Sequence, residues 1–422
     1  MPQIERLWPL EILDSRGNPT VRCTCVLTGG SSGTCAVPSG ASTGRHEAAA
    51  LRDGDASRYR GLGCRQAVAH IAGEIQDSLQ GVECADQNEL DRRLIELDGT
   101  PHLGRLGANS ILAVSLAFAR ACAAAQGTPL HAYFSSLYPA ALARPANFPV
   151  PTINLFSGGV HAGKQVAIQD VLLVPKPACA FPTQLEAMSE VYRVAVDFTA
   201  DAYGMRNLTA DEGGLAPPFP SSRAMLDGAM ECARRAGLEA GVDFALAVDA
   251  AASHFHIEGR YAIDGSMWDA RQLVRMYEEW AAAYPLYSLE DGLAEDDWTG
   301  WQRLYERLRG KTLIVGDDLL CTNQRRIEKA VELRAADALL LKVDQIGTVS
   351  RALAALQAAR AAGWHIVVSA RSGETEDTWL ADLAVGWSAQ NIKVGSITQS
   401  ERLAKYNRLL EIHAATTDTA PV

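Results

Sequence analysis

The sequence predicts an α/β protein in two parts: an α+β unit over residues 1–140, then a closed (β/α)8 barrel over residues 141–422. Three observations carry this expectation. Strand-like alternation comes first in the N-terminal part and helical periodicity follows it. Three prolines in "ARPANFPVPT" (143–152) mark a linker. Beyond it, short continuous apolar runs alternate with amphipathic helical stretches, the pattern of parallel strands buried on both faces. Seven or eight such units in about 260 residues fit a closed barrel better than an open doubly wound sheet. No GxGxxG follows any strand, which weakens a dinucleotide-binding reading.

"TVRCTCVLTGG" (20–30) alternates as a strand and ends in a Gly-Gly turn. A second strand, "GTCAVPSG" (33–40), leads into "SGASTGRHE" (39–47), a loop of small residues. The clearest helix spans 109–126 and stops at Gly127, with Pro129 just beyond. After the linker the strand-like runs are "AIQDVLLV" (167–174), "FALAVDAA" (244–251), "LYSLEDGL" (286–293), "LIVGDDLL" (313–320), "ALLLKVDQIG" (338–347), "WHIVVSARSG" (364–373) and "NIKVGS" (391–396). Helices are expected between them at 268–283, 297–309, 325–334 and 348–362.

Composition narrows the function. A chain of 422 residues with 48% hydrophobic and 21% charged content is ordinary for a soluble globular protein. A net charge of −11 argues against a nucleic-acid footprint, which needs a basic face. The N-terminus lacks the basic-then-apolar pattern of a signal peptide. The most apolar stretch, 110–125, is interrupted by Arg120 and reads as too short to span a bilayer. Nine scattered cysteines, without zinc-finger spacing, read as reduced thiols in a cytoplasmic protein.

Charges recur at the ends of six successive strands. Asp249 follows "FALAV", Glu290 follows "LYSL", Asp317 follows "LIVG", Lys342 follows "ALLL", Arg371 follows "HIVVSA" and Lys393 follows "NI". In a barrel those ends form the face on which active sites are built. Asp291 or Asp318 alone reads as a helix N-cap. Six in register, three acids and three bases, read as a site. Three carboxylates on adjacent strands form a hard oxygen cage suited to Mg²⁺ and not to zinc. Lys342, among cations and metal, is expected to have a lowered pKa and to act as a base. Arg371 and Lys393 are expected to hold an anion. Together these point to proton abstraction beside a carboxylate, with the metal holding the charge that accumulates. Glu212, on the glycine-flanked loop "TADEGGLAP" (209–217), is a candidate general acid for a leaving hydroxide.

"ILDSRGNPTV" (12–21), "VPSGASTG" (37–44), "LRDGD" (51–55), "LDGT" (97–100), "GANSILAVSLA" (107–117), "DEGG", "SLEDGL", "GDDL", "QIG" and "RSGETEDT" all resemble enolase sequence in enolase order, over nearly the whole chain. The resemblance implies the enolase fold: an N-terminal α+β domain on a modified TIM-type barrel, usually as a homodimer. It implies two Mg²⁺ ions, with Asp249, Glu290 and Asp317 as ligands of the first and Ser42, in the "SGASTG" loop, closing over the second. Lys342 matches the base, Glu212 the acid, Arg371 and Ser372 the phosphate binders, and Lys393 the lysine near the substrate carboxylate. Asp170 stands where enolases have the glutamate that acts near the departing hydroxyl, and His161, also a candidate catalytic residue, is the histidine of their "NGGxHA" loop.

The pattern also breaks. Enolases read "SHRSGET", where this chain has Ala370. Asp170 stands for a glutamate, Asp344 for an asparagine, Ser157 and Lys164 flank His161 in place of asparagines, and "IKTGS" has become "IKVGS" at Val394. The resemblance therefore implies a lyase acting on 2-phosphoglycerate or a close phosphonate-type analogue. The departures lean it toward a specialised relative such as a carboxyphosphonoenolpyruvate synthase of phosphonate biosynthesis. Ordinary 2-phosphoglycerate dehydration and a non-catalytic enolase-like binding protein are the alternatives.

Overall fold

The structure, a computed structural model, describes residues 1–40, 44–138, 148–176, 179–205 and 207–417. Strands β1 (Ile4–Leu13), β2 (Pro19–Leu27) and β3 (Ser32–Ala36) form an antiparallel meander in which inward residues such as Val21, Cys23 and Cys25 are buried. Helix Ala108–Ala125 lies against this sheet. It comes so close at Gly33 that a Cβ there would stand 2.3 Å from the Ala121 nitrogen and 2.5 Å from the Ala117 oxygen. By length and composition this helix could cross a membrane, but 83% of it is buried inside the protein, where it forms the core of the N-terminal unit.

The barrel strands are β4 (Val150–Ser157), β5 (Asp170–Pro175) and β6 (Phe244–Asp249), followed by a small antiparallel sheet of β7 (His256–Ile257), β8 (Arg260–Ile263) and β9 (Ser266–Trp268). Then come β10 (Leu286–Glu290), β11 (Leu313–Gly316), β12 (Ala338–Leu341), β13 (His365–Ser369) and β14 (Asn391–Gly395). Strands β4, β5, β6 and β10 to β14 close into an eight-stranded barrel. The period of two is visible on β12. Ala338 and Leu340 join Val315 and Val367 inside the barrel, while Leu339 and Leu341 face the helical layer.

Two expectations need correction. The last three residues of the stretch taken as linker, Val150–Thr152, open β4 despite Pro151, because β4 pairs with β14 and is buried along nearly its whole length; residues 143–147 of that stretch lie outside the described residues. The junction expected at 140/141 lies outside the described residues. The barrel is also not wholly parallel: β5 runs antiparallel to both β4 and β6. Residues 158–169 join β4 to β5 with one 3-10 turn (Gly159–Ala162) and no crossover helix, so the chain must come back in the opposite direction. Asp170, the first residue of β5, thereby sits beside Ser157 and Asp249, the last residues of β4 and β6.

The helices expected between strands run Ala270–Ala283, Trp298–Leu308, Gln324–Leu333 and Val349–Ala361. They are capped by Asp269, Asp297, Asn323 and Thr348, whose side chains accept from first-turn N–H groups. Asp291 and Asp318 are therefore not caps.

Candidate active site

Asp249 and Glu290 end β6 and β10, Asp317 and Lys342 stand one residue past β11 and β12, Arg371 stands two past β13, and Lys393 lies within β14. The strand ends bring all six to one rim, and all but Glu290 line a single cavity of about 40 Å³, shared with His161, Glu212, Ala370 and Ser372. Asp170 does not line this cavity but pairs directly with Asp249 at the same end of the barrel. Ser42 lies outside the described residues.

The charges are paired within the rim. Lys393 Nζ donates to Asp249 Oδ2 at 2.8 Å and to both Glu290 oxygens at 2.8 and 2.7 Å. Burial pulls the Lys393 ammonium down, but Asp249 and Glu290 outweigh it and hold the lysine above its ordinary range. Burial, then the neighbouring Asp249, pushes the Glu290 carboxyl well up. Lys342 donates to Asp317 Oδ2, while Gln345 Nε2 donates to Asp317 Oδ1 at 2.8 Å. The lowered pKa expected for Lys342 is not what this arrangement gives. Burial does act downward, but the Asp317 carboxylate overrides it and raises the lysine.

On the far side, burial pushes Asp170 well up, with the nearby Glu212 carboxylate adding to it. Its Oδ1 accepts from Ser157 Oγ at 2.5 Å, and its Oδ2 has no partner among the described residues. Burial also acts upward on Glu212, but Arg402, His161, Lys393 and Lys342 together bring it below its ordinary range. Asn154 Nδ2 donates to Glu212 Oε2 at 3.1 Å. The two carboxyls are therefore pushed in opposite directions, Asp170 up and Glu212 down.

Arg371 is buried and lies against two acids: Glu47, with Nη1 to Oε2 at 3.2 Å, and Asp344. Lys164, a departure from the enolase pattern near His161, is exposed and does not line the catalytic cavity. Several contributors escaped sequence reasoning. Gln169 Nε2 donates to Asp249 Oδ2 at 3.1 Å, and His254 lines the cavity. Glu47 reaches Arg371 from the N-terminal unit, and Asp291 fixes the turn after β11 by accepting from the Asp317 and Asp318 N–H groups at 2.9 and 2.8 Å. Gln169 and Gln345 were visible only as letters inside "IQD" and "QIG".

Burial pushes Asp344 from its ordinary value of 3.8 up to about 6, against the pull of Arg371. A carboxyl raised by folding contributes stability that is present below its unfolded pKa and lost as pH rises through the folded one. Between about pH 4 and 6 the fold therefore loses up to roughly 3 kcal/mol at this residue. Asp344→Asn is expected to melt above the parent at pH 7.5 and level with it near pH 4. A constant difference at both pH values, read by thermal denaturation, would contradict this.

The residues fit a hard divalent cation. Three buried carboxylate oxygens from Asp249 and Glu290 converge within 2.8 Å of one positive centre, the Lys393 ammonium. Asp317, on the next strand, adds a third carboxylate, and its oxygen lies within 4.8 Å of those of Asp291 and Asp318. That second group, Asp291, Asp317 and Asp318, is made of carboxylates alone, which disfavours zinc there.

The family description "Enolase, N-terminal domain" matches residues 4–134, and "Enolase, C-terminal TIM barrel domain" matches residues 145–422. An enolase of Acidothermus cellulolyticus is 46% identical over 420 residues, spanning 100% of this chain and 96% of the relative. With that likeness and this rim, the protein is an enzyme of the hydro-lyase class, which breaks a carbon–oxygen bond to eliminate water. It belongs to the enolase family.

Proposed function

We propose that the protein dehydrates 2-phosphoglycerate to phosphoenolpyruvate, with Lys342 as base and Glu212, backed by Asp170, on the acid side. The observation carrying this reading is that Lys342 and Glu212, from different parts of the chain, line one small cavity whose other walls are Asp249, Arg371, Ser372 and Lys393. Lys342 Nζ first takes the α-proton as the C–H bond breaks, leaving the electron pair delocalised onto the substrate carboxylate; the C2–C3 double bond then forms as the C3–oxygen bond breaks. The departing hydroxide leaves as water with the proton of the Glu212–Asp170 pair. His161 lines the same cavity. Arg371 and Ser372 hold the phosphoryl group, and Lys393 faces the substrate carboxylate.

Asp249, Glu290 and Asp317 would hold a divalent cation, Mg²⁺ in this reading, which when bound supplies positive charge against the charge building on the substrate carboxylate. Lys342 is a base only as the neutral amine, so its pairing with Asp317 has to loosen in the working state. Two ions, a homodimer and a cytoplasmic setting belong to the same proposal; nine unpaired cysteines agree with a reducing compartment.

The full-length likeness to an enolase supports this reading over the carboxyphosphonoenolpyruvate one. That second reading keeps one observation in its favour: Ala370 and Asp344 alter the surroundings of Arg371. The test is a rate assay with purified protein, Mg²⁺ and 2-phosphoglycerate, following the enol product by ultraviolet absorbance. Turnover of about 1–10³ per second supports the proposal. Metal binding with no turnover sinks it and turns attention to phosphonate analogues.

A further inference from the structure

Asp344 touches the site without lining the catalytic cavity. It belongs to the 3-10 turn Val343–Gln345 that follows β12 and Lys342, and its carboxylate accepts from Arg371 Nη1. Glu47 Oε2 accepts from the same nitrogen at 3.2 Å, and Glu47 Oε1 from Nη2 at 3.4 Å. The Arg371 side chain is only 5% exposed, so these are buried pairs little screened by solvent. Arg371 lines the cavity, yet both its Nη nitrogens face carboxylates from different elements. Beside it on the cavity wall, Ala370 offers neither a charge nor a side-chain donor.

An arginine fork recognises an anion through its free N–H pairs and its undivided charge. Here Nη1 is committed elsewhere and two negative charges face one positive charge. A doubly charged head group entering this corner feels that excess more strongly than a singly charged one, in proportion to its charge.

We propose that Asp344 is a specificity-determining residue: by holding Nη1 and offsetting the charge of Arg371, it shifts the head-group preference of the site toward singly charged anions. The inference rests on the proposed function, from which it takes Arg371 as the head-group binder. It extends that reading by assigning the charge preference to a residue outside the cavity.

The test is calorimetric binding, with Mg²⁺ at pH 8, of two ligands on one carbon skeleton. They are 2-phosphoglycerate, whose head group is doubly charged, and glycerate 2-sulfate, whose head group carries a single charge. Full-length parent, Asp344→Asn and Asp344→Glu proteins are compared. Asp344→Asn is expected to move the ratio of the two affinities toward the phosphate ester by about tenfold or more, and Asp344→Glu to keep it near the parent's. A ratio unchanged in Asp344→Asn, equal loss of both ligands, or binding of neither by the parent overturns the proposal. Exchange of the 2-phosphoglycerate α-hydrogen with deuterated solvent reads the proposed function separately. Exchange with an unmoved ratio removes the role of Asp344 alone. A moved ratio with neither exchange nor turnover removes the dehydration and leaves the charge preference standing.

Discussion

Lys342→Ala is expected to reduce turnover of 2-phosphoglycerate by about 10⁴-fold, the upper range for loss of a positioned general base. The side chain leaves the chain one residue past β12, whose four residues are all buried, so its position is fixed by packed backbone on both faces. Its removal leaves Asp317 with Gln345, at 2.8 Å, as a hydrogen-bond donor. The fold should therefore survive, and KM should change far less than kcat. Exchange of the α-hydrogen with deuterated solvent should fall in the same proportion as turnover, because both need the proton to leave carbon. Glu212→Gln should separate the two: elimination is lost, while exchange persists because Lys342 is untouched. Exchange surviving in Lys342→Ala would remove that lysine from the role of base.

The second large effect belongs to Glu290→Gln. Burial and Asp249 drive this carboxyl up, so a neutral amide of the same shape relieves that repulsion and keeps one of the two acceptors that face Lys393, the relief offsetting the lost one. Without Mg²⁺ the variant is expected to melt no lower than the parent. With Mg²⁺ at a hundredfold excess over its Kd, the parent should gain about 2.7 kcal/mol, and the variant much less. Turnover should fall by at least about 10²-fold, on the scale of losing electrostatic stabilisation of developing charge. Thermal melts with and without Mg²⁺, together with calorimetric metal uptake, provide the check. Parent-like uptake would show that Glu290 is not a ligand.

The rim was legible because each of its six charges is tied to a local cue, an apolar run that stops. That cue needs no knowledge of which strands are neighbours, and the structure brings all six to one rim. Strand direction was not legible at β5, since a buried apolar run reads alike whichever way it crosses the sheet. Strand β4 was hidden behind Pro149 and Pro151, which signal a linker by composition. The pairings were the least accessible feature. Asp344 could be seen to differ from the enolase pattern, but its grip on Arg371, and that of Glu47 across 324 positions of sequence, exists only once the barrel closes. The charge state of Lys342 failed for the same reason: it depends on Asp317 being its immediate partner.

The reversal of β5 also has an arithmetic to it. A strand that runs with its neighbours lends the catalytic rim one connection, the one that follows it. Here β4 rises to the rim, the segment with His161 turns over there, and β5 descends to end at Pro175 opposite Phe244, the start of β6. Both ends of the next connection therefore lie at the far pole, and an even number of helices must fill it. Helix Phe181–Tyr203 climbs and helix Ser222–Arg235 returns, so the bend between them meets the rim with Glu212 on it. One inverted strand thus delivers two rim loops and both members of the Asp170–Glu212 pair. The two helices work as a climbing and returning pair: if one were deleted, an extended segment would have to make the missing crossing for β6 to start from the same pole.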